Sequence, residues 1–369
     1  MAAGVYVSVL DIFTTEFSPD SVEWCHAESY RDILACGTYK LNEGDKTSCK
    51  RNGKIYLLRL INEGKLELIQ QIETLAILDM KWVCTGDIDN NQIYLCVVNS
   101  SGFLQMYQLT SENDETRLKF LTEKKVNMCH KDILALSLDC SIGRSCFLAP
   151  PLNLHIVASD SEGCISYFKW DETDSLQRIS MWRGHEFESW CVSFDHHDDN
   201  IIYSGGDDNK FTVYDVRINS CASHTRMHSA GITSIHNNAL SPFLLATGSY
   251  DHTLKLWDKR NFNQPTSQIA FQSGVWRIRW DPFKHEYLLV ACMYGGYNLV
   301  DCRHGTIQSV IGHYNYGSQS LAYGCDWSFL TKEDLQRLSI RSGDNLVGTC
   351  FYQDCALCIS AVNVNFNEE

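Results

Sequence analysis

A step of 43 residues repeats in the second half of the chain and limits what it can fold into. Tyr214-Asp215-Val216-Arg217 returns as Trp257-Asp258-Lys259-Arg260 and again as Val300-Asp301-Cys302-Arg303. Trp190, Thr233 and Trp276 keep the same step, and so do Phe194, Asn237 and Trp280. A supersecondary unit of this length cannot bury its apolar face alone, so neighbouring units must stack and share a core. Within each unit apolar and polar residues alternate between Gly/Asp turns, which is the pattern of short strands rather than helices.

Two units carry a complete polar set at identical spacing: His185, Ser204, Asp208 and Tyr214, then His228, Thr247, Asp251 and Trp257. With Arg183-Gly184-His185, Leu256-Trp257-Asp258 and the turn Gly248-Ser249-Tyr250-Asp251, these units resemble WD-repeat blades. The resemblance implies that each His, Ser/Thr, Asp and Trp is hydrogen-bonded in a chain linking the strands. That role is structural, because buried polar groups must be paired.

Weaker copies fill the rest. The expected fold is all-β, one seven-bladed WD40-type β-propeller over residues 1–369, with blades at approximately 21–60, 74–110, 130–171, 184–217, 228–260, 271–303 and 321–363. A charged insertion from Asn42 to Asn52 interrupts the first. Blade seven lacks an outer strand of its own, and Val5 to Phe13 precedes blade one with no blade to belong to. That segment is expected to close the ring and remove an exposed sheet edge. Leucines at 335 and 338 beside charged residues suggest a short helix within Asp334 to Ile340.

The 31 basic against 45 acidic residues give a net charge of -14, which repels phosphate backbones and argues against direct nucleic-acid binding. The same acidity suits a cationic substrate or a basic protein surface. No apolar run is long enough to span a membrane. The 17 cysteines are odd in number and scattered through strand-like runs, as expected of buried reduced thiols in the cytosol or nucleus, and the chain is expected to be cytoplasmic. A monomer is the default expectation, on a sequence silent about oligomeric state.

No nucleophile elbow, zinc-protease motif, phosphate loop or dinucleotide fingerprint is found. Cys355 and Cys358 are placed in a packed strand of blade seven, and His196-His197-Asp198-Asp199 in a solvated turn of blade four, so neither is expected to bind metal. One repeat position is more informative. The residue four before Trp280, taken with its equivalents round the ring, gives Asp20, Leu78, Leu134, Trp190, Thr233, Trp276 and Tyr323. In WD-repeat proteins this position opens toward the channel on the face where partners bind. Aromatics and a carboxylate converging there suit an apolar or quaternary-ammonium group.

Ser21-Val22-Glu23-Trp24-Cys25, His185-Glu186-Phe187-Glu188-Ser189-Trp190, Gly274-Val275-Trp276-Arg277 and Ser320-Leu321-Ala322-Tyr323-Gly324 resemble one WD-repeat family, through most of the chain. These are the diphthine methyl ester hydrolases, also called diphthine methyltransferase. The resemblance implies a methylesterase that demethylates the methylated diphthine intermediate on elongation factor 2, without a cofactor, in diphthamide biosynthesis. Diphthine carries a trimethylammonium group, which aromatic faces would complement. Trp190, Trp276, Tyr323 and Asp20 are the expected substrate-binding residues. Ester cleavage also needs an oxyanion donor, Arg277 or Tyr323, and a group that activates water, Glu188. Ser320 is a further conceivable nucleophile, with no base identified. Three other readings stay open: a non-catalytic interaction scaffold, a reader of a methylated or cationic peptide, and an S-adenosylmethionine-dependent transferase, for which no glycine-loop unit is present.

Overall fold

A computed structural model describes residues 5–42, 51–85, 92–113, 115–129, 132–141, 154–171, 175–218, 220–316, 320–341 and 345–364. Seven antiparallel sheets of four strands each are arranged as the blades of a propeller. Their innermost strands are Ser18–Trp24, Ile77–Thr85, Ala135–Ser141, Cys191–Asp195, Ile232–Asn237, Arg277–Trp280 and Ala322–Trp327. Each packs on the next, and the last packs on the first.

The core is divided among the blade junctions. Seven apolar clusters lie one to each junction, such as Val157 and Ile165 against Val192 and Phe194 between blades three and four. Successive residues of one strand feed the two junctions it separates, Leu34 and Leu58 on one side and Ile33 and Leu57 on the other, because both faces of each sheet are covered by a neighbouring blade.

Val5–Thr14 pairs antiparallel with Ala356–Val364, so the first strand of the chain is the outer strand of the last blade and closes the ring. Asp11 clasps the joint from outside, accepting from the Leu66 backbone N–H at 2.8 Å and meeting Lys65 Nζ at 3.2 Å. Each of the other blades has a fourth strand of its own, for example Lys65–Leu75, Glu115–Lys125 and Leu176–Arg183. These fall in the intervals between the blade ranges expected from sequence. With one face in solvent, they read as polar segments.

The short helix is Lys332–Arg337, beginning earlier than expected because a capping box between Thr331 and Asp334 fixes its start. Leu335, Leu338 and Ile340 pack between blades seven and one. Cys358 is buried in its strand, whereas Cys355 occupies the preceding turn at φ 49°. The cysteines whose side chains are described are free thiols. His196 and His197 form the turn expected, with Asp198 starting the next strand. Most of the Asn42–Asn52 insertion lies outside the described residues.

Candidate functional site

The two polar sets are wired through the bodies of blades four and five. His185 Nδ1 meets Asp208 Oδ1 at 2.9 Å and its Nε2 meets Ser204 Oγ at 2.7 Å, which in turn lies 3.2 Å from the Tyr214 hydroxyl. His228 repeats this with Asp251 at 2.9 Å and Thr247 at 2.7 Å, and Trp257 Nε1 donates to Thr247 Oγ1 at 2.8 Å. Burial alone would raise the Asp208 carboxyl, yet its bond to His185 brings it down to about 2. These groups spend their hydrogen bonds on each other and lie away from the channel.

The channel holds a cavity of about 310 Å³. Asp20, Leu78, Trp190, Thr233 and Trp276 line it, so five residues of the ring position chosen from sequence converge. In blade three the lining residue is Leu136, not Leu134. The reason is a bulge. Pairing of the first two strands slips at Asp20, Leu78, Leu136 and Thr233, and again across Tyr323 and Gly324, leaving the skipped residues free to be re-aimed.

Tyr323 joins the site by stacking on Trp276, with centroids 4.9 Å apart and planes at 26°. Trp190 lies 5.9 Å from Trp276, and Tyr250 lies 6.0 Å from each of them. On the other side Tyr352 packs against Tyr323 at 5.0 Å. The mouth is thus a connected aromatic row whose members are half-buried. Tyr250 and Tyr352 lie outside the ring position shared by Asp20, Trp190, Trp276 and Tyr323. Tyr250 sits in the turn that aligns with Asp207 and Met293 at the same 43-residue step, so a second repeat position read round the ring would have found it. Trp190 Nε1 donates to Asp207 Oδ1 at 3.1 Å, whereas Trp276 Nε1 is buried without a partner.

Below the aromatics the channel is charged and mostly paired. Arg277 holds Asp79 at 2.6 Å, and Arg279 holds Glu23 at 2.5 Å and Asp326 at 3.6 Å. Lys81 bonds Glu23 and lies 3.8 Å from Asp79. Asp139 accepts from Ser193 Oγ at 2.9 Å and from the Phe194 N–H at 2.8 Å. Burial would raise Asp79, but Arg277, Lys81 and Arg279 together hold it well below the carboxylate range. Asp20 differs. It is 6% exposed, and among the described residues its carboxylate has no hydrogen bond and no ion pair. Burial pushes it up to about 7, with Arg277 opposing and Asp79 reinforcing the rise. Asp326 also rises to about 7 through burial and Glu23, against Arg279.

Glu188 does not line the cavity. It is half-buried on the rim, where its backbone carbonyl accepts from Asp207 N–H at 2.9 Å and its charge, with that of Asp207, is felt by the Tyr250 phenol. Ser320 is 2% exposed and bonded to Gln353, donating to Oε1 at 3.3 Å and accepting from its N–H at 3.1 Å, an arrangement that fixes a turn. Among the described residues no group of three or more His, Cys, Asp or Glu side chains could hold a metal ion.

The WD40 family, described as WD domain, G-beta repeat, matches residues 176–215 and 219–258. A chain from a crystal structure of the mitotic checkpoint complex superposes with a TM-score of 0.66 at 13% identity, covering 96% of this chain and 92% of its own, a likeness of fold alone. The diphthine methyltransferase homolog of Dictyostelium discoideum is 31% identical, over 93% of this chain and 96% of its own length. The human diphthine methyltransferase is 34% identical over 363 residues, which span 92% of this chain and 79% of that protein. The chain belongs to the diphthine methyltransferase family. The WD40 matches cover only the part with complete polar sets, whereas similarity to the diphthine methyltransferase family extends over the weaker blades as well.

Proposed function

We propose that this protein hydrolyses the methyl ester of methylated diphthine on elongation factor 2, giving diphthine in the course of diphthamide biosynthesis. The observation that carries the reading is an aromatic mouth, built by Trp190, Trp276 and Tyr323 from three blades, above a cavity with an unpaired carboxylate. A trimethylammonium group is weakly hydrated and has no N–H to donate, so ring faces are its natural partners. The three rings of Trp190, Tyr250 and Trp276 already touch, so the cation rests against their cavity side rather than between them. A volume of about 310 Å³ accommodates one modified side chain. Exposed Phe187 and Tyr294, in loops of the same face, offer apolar contacts for the protein around it.

Arg277, which commits NH1 to Asp79, retains other N–H groups for the developing oxyanion, and Tyr323 is the alternative donor. Glu188 contributes negative charge at the rim. The test is incubation of the purified protein with methylated-diphthine elongation factor 2, following methanol and the substrate's loss of one CH2 unit. Release without added cofactor supports the proposal. Saturable binding with no methanol makes the protein a reader, and neither makes the mouth a docking surface of another kind.

A further inference from the structure

We infer that Asp20 is the general base of this site, its carboxylate taking a proton from the water that attacks the ester carbonyl. The inference rests on the esterase reading above and adds to it the residue that drives the chemistry. An unpaired carboxylate buried in a protein costs free energy that folding gives no reason to keep. Here the surrounding carboxylates show what a merely structural acid looks like. Glu23, Asp79 and Asp326 each have a cation, and Asp139 has two hydrogen-bond donors. Asp20 has neither, although Arg277 is close enough to act on it electrostatically. The bulge after Pro19 sets it at the cavity wall, where its field reaches the hydroxyls of Tyr323 and Tyr352.

The groups around it are Arg277 from blade six, Asp79 from blade two, and Tyr323, Cys350 and Tyr352 from blade seven. Only Arg277 favours the ionised form, and it is shared with Asp79. At neutral pH both protonation states of Asp20 are populated, which a group that must take a proton and return it requires. In the first step Asp20 removes a proton from water as the hydroxide oxygen bonds to the ester carbon. The tetrahedral adduct then expels methoxide, which takes the proton back from Asp20 and leaves as methanol. The product carboxylic acid loses its proton to solvent, and the carboxylate of Asp20 is regenerated.

The experiment is steady-state kinetics of methanol release from methylated-diphthine elongation factor 2 by wild type, Asp20→Asn, Asp20→Glu and Glu188→Gln across pH 5 to 9. Asp20→Asn is expected to lower kcat by about 10²–10⁴-fold with KM nearly unchanged. The wild-type rise of kcat through a limb near pH 7 is expected to vanish with it. Asp20→Glu should recover part of kcat, and Glu188→Gln, whatever it does to KM through the lost rim charge, should leave the pH limb in place. A rise in KM with kcat intact in Asp20→Asn would overturn the inference, by making Asp20 a partner of the ammonium. So would loss of the pH limb in Glu188→Gln together with its retention in Asp20→Asn. Wild-type protein that releases no methanol would overturn the esterase reading itself, a result distinct from either.

Discussion

Trp276 and Tyr323, on neighbouring blades, stack at 4.9 Å and form the centre of the aromatic row over the channel. Removing the indole takes away one ring face and the platform of the other. Trp276→Ala is expected to raise KM for methylated-diphthine elongation factor 2 by about tenfold or more, since one cation–π face contributes roughly 1–2 kcal/mol when desolvated. Circular dichroism should show an intact fold. An unchanged KM would mean that the ammonium binds elsewhere.

Asp20 carries a stability signature separate from any activity. Its folded-state carboxyl, at about 7, lies above the ordinary 3.8, so the native protein holds this proton more tightly than the unfolded chain. The resulting stabilisation is complete below pH 4 and is lost as pH rises through 7. Asn mimics the neutral acid at every pH. Asp20→Asn is therefore expected to match wild type in urea unfolding at pH 4 and to exceed it by roughly 1–4 kcal/mol at pH 8. A variant less stable than wild type at pH 8 would show that the native carboxylate has a partner.

His228 should behave as scaffold. His228→Ala strands Asp251 and Thr247, both inside blade five, and is expected to cost about 2–4 kcal/mol in urea unfolding while leaving KM unaltered. Burial lowers the imidazole pKa against the pull of Asp251, so the native ring is neutral. Its contribution is present above the unfolded value of 6.5 and is lost as pH falls below it. A large change in KM would move this residue into the site.

Ring closure gives a fourth expectation. Deleting residues 1–14 uncovers the edge of Ala356–Val364 and removes the Asp11 clasp. The truncated chain should melt several degrees lower and self-associate, as light scattering would register, because an open strand edge pairs with other chains. Retention of the wild-type Tm and light scattering would show that blade seven is complete with three strands.

The period made the fold readable, because a repeat carries its own alignment: once Tyr214, Trp257 and Val300 are superposed, the inner strands follow. The lining of the candidate cavity was legible to the same extent. Trp190, Trp276 and Asp20 came from one repeat position, and the lapse at Leu134 occurred where a weak copy left the bulge invisible. The pairing of Glu23 with Arg279, or of Asp79 with Arg277, could not be read, since those partners meet only after the ring closes. Glu188, expected to activate water, stands outside the cavity lining, a placement that local sequence does not show.

The most direct measurement of the central claim is turnover of methylated-diphthine elongation factor 2 in water labelled with heavy oxygen. The account requires cleavage between the acyl carbon and oxygen, so the label should enter the diphthine carboxylate and the methanol should leave unlabelled. Labelled methanol, or demethylation that leaves both products unlabelled, would contradict it.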